Sequence, residues 1–306
     1  MNTFYEELDV LFQEGDLTAI ETFILDTIDK AIDGSPERAG LFNELAGFYR
    51  GVSRFDESED AFIKALDIFE ANEMSASLEY ATVLINYAGL FRLKGEPDEA
   101  IELFQSAMIK LEEAGEQNSY AYVSLLNNIA LAHQSKDEYS QALEFAQKAL
   151  ELMRDGYGGA HEIAASLNNL AAIRIGLEEY DAADTLITEA LTLYDSMPEA
   201  DVHHAAALTT KAVVLCRTGD YDGALERFRQ SLVLIGRFFG ENIEYAICKQ
   251  NIADVCEILG NLPSAINELS DSAVIMERIM GPEHQKVKDT QDKLEKLRTK
   301  DSGSSN

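Results

Sequence analysis

The stretch Leu167-Asn-Asn-Leu-Ala171, continued through Gly176-Leu-Glu-Glu-Tyr180 to Ala183, Ile187 and Ala190, decides the fold. Spacings of three, four and seven place Ala183, Ile187 and Ala190 on one face of a helix, and Leu167, Leu170 and Ala171 on one face of another. The polar link ending at Tyr180 leaves room only for a tight turn. The stretch therefore reads helix, turn, helix.

Working outward, the same spacing recurs along the chain. The first small residue is Ala46, Ala88, Ala130, Ala171, Ala212 and Ala253, at intervals of 42, 42, 41, 41 and 41. Twelve residues after each stands Ser58, Ala100, Ala142, Ala183, Ala224 or Ala265, and seven further on Ala65, Ala107, Ala149, Ala190, Ser231 or Ser272. A bulky residue sits between the later two, as at Phe62, Phe104, Ile187, Phe228 and Leu269, with Ala146 in the third copy. One such pair of helices cannot bury its own apolar face, whereas six stacked pairs can, so the repeat predicts a stacked array.

The prolines agree with this reading: Pro97 and Pro263 fall at a second-helix start, and Pro36, Pro198 and Pro282 in connectors before a first helix. Residues 1–37 form a degenerate leading helix pair or cap. The repeats occupy about 38–78, 79–120, 121–162, 163–202, 203–244 and 245–282. A capping helix covers 283–300, and a disordered tail 301–306.

Composition narrows the function. The 306 residues carry 25 Lys plus Arg against 55 Asp plus Glu, a net charge of −30 that repels phosphate backbones and anionic lipid heads. Nucleic acid and membrane surfaces are thereby poor partners, and another protein or peptide is the better one. No run of 18 apolar residues occurs, and Glu6, Glu7 and Asp9 stand where a secretory signal needs basic residues. Three cysteines, Cys216, Cys248 and Cys256, make no disulfide framework and read as reduced thiols in a cytoplasmic protein.

These residues, in this order, resemble the tetratricopeptide repeat family, and the longer period with Leu125-Leu-Asn-Asn-Ile-Ala130 and Leu167-Asn-Asn-Leu-Ala171 is similar to its kinesin-light-chain type. The resemblance implies an all-α fold, a right-handed α-solenoid of antiparallel helix pairs. It implies too that the first helices line a concave face binding segments of partner proteins. Carried over by position, that face takes Asn43, Asn86, Asn127, Asn128, Asn168, Asn169, Thr210, Gln250 and Asn251, with Arg50, Arg92 and Gln134 four residues after the small marker. Side-chain amides offer donors and acceptors at once, so such a ladder can bond a peptide backbone; equally, the amides can cap or bridge neighbouring helices. Arg50 and Arg92 suit a partner's carboxylates. Lys249 and Lys211 replace apolar residues of the other copies, which points to looser packing or to contact with another chain.

No catalytic or cofactor constellation emerges. The acids are spread over exposed helix positions, and His161, His203, His204 and His284 fall in three connectors about 40 residues apart that do not converge on one metal. The neighbours His203 and His204 beside Asp201 point about 100° apart on a helix, and His133 stands alone. The glycines of Arg154-Asp-Gly-Tyr-Gly-Gly159 follow a helix, lack the Lys and Ser/Thr of a phosphate loop, and read as a helix end. The first 33 residues hold nine acids and Lys30 alone, unlike a basic DNA-reading module. The sequence therefore reads as a non-enzymatic adaptor or scaffold without cofactor or metal. A structural subunit of a permanent complex and a peptide-signal sensor are the alternatives.

Overall fold

The structure, a computed structural model, describes residues 2–157, 159–197 and 201–304. Pro198 lies outside them. The chain divides into two compact units, Met1–Ser196 and Met197–Asn306. Both are all-α, and among the described residues there is no strand.

The first unit holds α1 (Asn2–Glu14), α2 (Leu17–Lys30), α3 (Pro36–Gly51), α4 (Phe55–Ala71), α5 (Leu78–Lys94), α6 (Pro97–Glu113), α7 (Tyr120–Ser135), α8 (Tyr139–Leu152), α9 (Ala160–Gly176) and α10 (Tyr180–Asp195). Consecutive helices pair as the spacing predicts, α3 with α4, α5 with α6, α7 with α8 and α9 with α10. The first helices also touch one another, α3 against α5, α5 against α7 and α7 against α9. The core lies where the marker residues fall: Ala88, Ala100, Phe104 and Ala107 are wholly buried. At the leading end Phe4 stacks on Phe23, with ring centroids 5.4 Å apart, and Phe12 lies 6.5 Å from Phe48, so α1 and α2 share this core.

The second unit holds α11 (Val202–Thr218), α12 (Tyr221–Phe239), α13 (Ile243–Ile258), α14 (Leu262–Met280) and α15 (Gln285–Ser304). Helix α15 covers the last pair with Val287, Leu294 and Leu297. Its basic residues turn to their own chain: Lys293 pairs with Asp254, and Lys300 with Glu257 at 3.0 Å. The helix runs on to Ser304, so 301–304 are helical where a disordered tail was expected, and 305–306 lie outside the described residues. Lys249 is neither loose nor left for another chain to neutralise. Its ammonium sits 2.7 Å from Glu268 and 3.0 Å from Asp271 with the side chain 11% exposed. Burial opposes its charge, and the two carboxylates outweigh that and raise its pKa.

Two local devices set the helix ends. Five first helices begin on a side-chain cap: Ser35, Ser77, Ser119, Asp201 and Asn242 each accept the backbone N–H three residues on, at 2.8 to 3.2 Å. At α9 the roles reverse, and Glu162 accepts the Gly159 N–H at 2.9 Å. The turn within each pair places one residue in the left-handed region, seven after the small marker: Ser53, Gly95, Asp137, Glu178, Gly219 and Gly260. Only glycine adopts that conformation without steric cost.

A Cβ at Gly219 meets nothing within 4 Å, so its substitution isolates the backbone effect. Gly219→Ala is expected to lower stability by about 1–2 kcal/mol through the left-handed residue alone. Glu178→Gly, at the matching turn of the first unit, is expected to move the other way. Chemical denaturation of the two variants checks the opposite signs.

Candidate functional site

In the first unit the expected residues line one face of the first helices. Asn43, Glu44 and Arg50 come from α3, Asn86 and Arg92 from α5, Asn127, Asn128 and Gln134 from α7, and Asn168 and Asn169 from α9. All are half-buried. Thr210 on α11, and Gln250 and Asn251 on α13, hold the equivalent places in the second unit.

The hydrogen bonds divide this set. Three residues before the small marker, Asn43, Asn127 and Gln250 each join their helix to the next part of the array. Asn43 Oδ1 accepts from Asn86 Nδ2 at 3.0 Å, Asn127 Nδ2 donates to Ser166 Oγ at 2.9 Å, and Gln250 Nε2 donates to Thr290 Oγ1 at 2.7 Å. These amides bridge helices, as does Arg50, whose Nη1 reaches across Gly89 to the Asn86 carbonyl at 2.8 Å. A Cβ at Gly89 would stand 2.8 Å from that nitrogen, so the bridge depends on glycine there. For Asn43, Asn86, Asn127, Gln250 and Arg50 the ladder expected to meet a partner is thus engaged within the chain.

One position later the side chains are less committed. Asn128 Nδ2 bonds only its own helix, at the Ser124 carbonyl 2.9 Å away, and Thr210 Oγ1 likewise bonds the Ala206 carbonyl at 3.1 Å. Among the described residues the side chains of Asn169 and Asn251 make no hydrogen bond. The buried oxygens Asn127 Oδ1 and Asn168 Oδ1 likewise have no partner among the described residues.

Glu44 takes the place that Asn86, Asn128 and Asn169 hold in the following repeats. The Tyr5 hydroxyl on α1 donates to its Oε1 at 3.4 Å. Burial raises its pKa, and the bonds from Tyr5 and Asn43 and the charge of Arg50 oppose that rise. The repeat register places Glu44 in this row from sequence alone, but a single Glu among so many acids carries no pattern that would give it a role of its own.

The thiols are unpaired with one another. Burial pushes Cys248 up to about 12 and Cys216 up to about 11, away from thiolate reactivity. Among the described residues no helix is long and apolar enough to cross a membrane.

Helix pairing, capped first helices and an amide-lined face define a helical-repeat protein. The chain belongs to the tetratricopeptide repeat family, whose pattern matches residues 37–108, 122–196 and 203–278. No curated protein matches it. Among solved structures it is similar to a chain of the APC/C hetero-tetramer Cut9–Hcn1, with a TM-score of 0.62 and 19% identity over 94% of this chain and 48% of that one. It thus spans about half of that relative's length. It is similar to a Rap protein complexed with competence and sporulation factor, with a TM-score of 0.58 and 14% identity over 97% of this chain and 99% of that one. BtubC from P. vanneervenii aligns with a TM-score of 0.53 and 18% identity over 72% and 91%. At such identities the likeness is one of fold.

The Glu44 carboxyl yields a prediction with a definite sign. Its folded pKa lies above the unfolded value, so the ionised form destabilises the fold, and the penalty shrinks once pH falls below that raised pKa. Glu44→Gln is expected to melt above the wild type at pH 7. The gap should narrow on acidification and close once the unfolded carboxyl is also protonated, below about pH 4.3. Thermal melts from pH 4 to 8 check this, and a gap constant across that range counts against it.

Proposed function

We propose that the chain is a non-enzymatic scaffold that binds a segment of another protein along the first-helix face of its first unit. The observation that carries the reading is the state of Asn128 and Asn169. Both are half-exposed at matching places in consecutive repeats, one bonded only to its own helix and the other to nothing among the described residues. Amides so placed pair with backbone N–H and C=O groups of an extended segment, whatever its side chains. The Rap protein that this chain resembles in fold is complexed with competence and sporulation factor, which supports a bound-segment reading here. Two buried thiols and a half-buried one, none in a disulfide, are in keeping with a reducing compartment and support a cytoplasmic location as part of this proposal.

A second reading, a subunit fixed in a permanent complex, draws on Val233 and Val274. They lie 41 residues apart at equivalent places on α12 and α14 and are 71% and 67% exposed. Light scattering on the purified chain separates the readings. A stable monomer fits the scaffold, and self-association or aggregation fits a subunit missing its neighbours.

The hydrogen bonds give the asparagines opposite expected phenotypes. Asn128→Ala and Asn169→Ala should each weaken partner binding by about 1–3 kcal/mol, through the partner group left without its bond, and should melt with the wild type. Asn127→Ala should melt lower, because it removes the bridge to Ser166. Affinity capture from native lysate, run beside melting curves for the three variants, tests the division. Equal losses of binding and stability in all three would overturn it.

A further inference from the structure

We propose that the notch around Glu44 receives a cationic side chain of the bound segment, at the α3 end of the first unit's first-helix face. The proposal rests on the reading of that face given above and names the chemistry of one position on the partner. It starts from placement. Glu44 projects from the row that carries Asn86, Asn128 and Asn169, so a segment lying along that row meets one carboxylate, the Asn128 and Asn169 amides, and Asn86 with its Nδ2 already held by Asn43.

The space about Glu44 is open. Gly40 stands one turn before it and Gly47 nearly one turn after, and a Cβ at either would meet nothing within 4 Å. With glycine at both, an incoming side chain can approach from along the helix.

The local bonds leave the carboxylate short of positive charge. Its hydrogen bonds come from neutral groups, the Tyr5 hydroxyl at 3.4 Å and the Asn43 amide. Arg50, nearly two turns on, favours the ionised form by its charge, but directs Nη1 to the Asn86 carbonyl on α5 at 2.8 Å. Burial still prevails and raises the carboxyl's pKa. An ammonium or guanidinium entering the notch supplies the charge-assisted bond that these neutral donors do not. The net charge of −30 draws cationic segments to the surface in the first place.

The test uses the full chain, isotopically labelled, and two acetylated and amidated nonapeptides of Ser and Ala, one with a central Lys and the other with norleucine in its place. The Lys peptide should shift the amide signals of Gly40, Gly47 and Gly89. The norleucine peptide should bind at least tenfold more weakly, and Glu44→Gln should abolish the difference between them. Should that variant fail to fold, carbon-detected titration of Glu44 in the wild type replaces it, and its pKa should fall when the Lys peptide is added. Equal binding of both peptides on this face overturns the Glu44 assignment and leaves the scaffold reading standing. Shifts confined to the second unit, no shift at millimolar peptide, or an unmoved Glu44 pKa overturn it as well.

Discussion

Two antiparallel helices close on each other only where neither carries a side chain much larger than a methyl at the crossing. Everything else in each unit depends on that constraint. Ala88 meets it on α5, and Ala100 and Ala107 on α6, all wholly buried. With the crossing closed, Phe104 has nowhere to go but the seam toward the next pair, and so each pair is held by its neighbour. A larger residue at Ala100 would part the helices and leave Phe104 without its wall. The same close approach aligns the first helices side by side, and their remaining faces then present a row of equivalent positions.

The crossing positions were legible in the sequence because sterics confine them to Ala, Gly and Ser, and the six-fold recurrence makes that restriction visible. Helix ends carried an equally regular signal that the small-residue pattern obscured. Ser35, Ser77 and Ser119 stand 42 residues apart, each capping a first helix, yet Asp201 and Asn242 cap with different side chains and at α9 Glu162 reaches back to the Gly159 N–H instead. The turn residue is hidden for the opposite reason. Its left-handed backbone is shared by all six pairs while its identity drifts from Gly95 to Asp137 and Glu178, because the surrounding hydrogen bonds over-determine the conformation.

The candidate site was legible by position and not by bonding. Sequence places Asn127 and Asn128 beside each other and cannot tell which faces the next helix. A 100° turn between neighbours decides that one bridges to Ser166 while the other keeps to its own helix. Arg50 shows the same limit: its reach to the Asn86 carbonyl requires the bare backbone at Gly89, a relation across 39 residues that no local pattern encodes. The end of α15 was misread because a polar Ser/Gly composition suggests disorder, yet Ser302 Oγ bonds back to the Arg298 carbonyl at 3.0 Å.

Some crossings carry a hydroxyl where others carry a methyl. Ser58 Oγ donates to the Ala46 carbonyl, Ser231 Oγ to Ala205 and Ser272 Oγ to Ala246, each at 2.8 Å and each buried. A crossing held by Ala is fixed by packing alone. A buried hydroxyl aimed at one carbonyl adds a directed bond, and losing its acceptor would cost about 1–3 kcal/mol. The three serines therefore act as pins, setting the roll of α4, α12 and α14 against the first helix that each closes on.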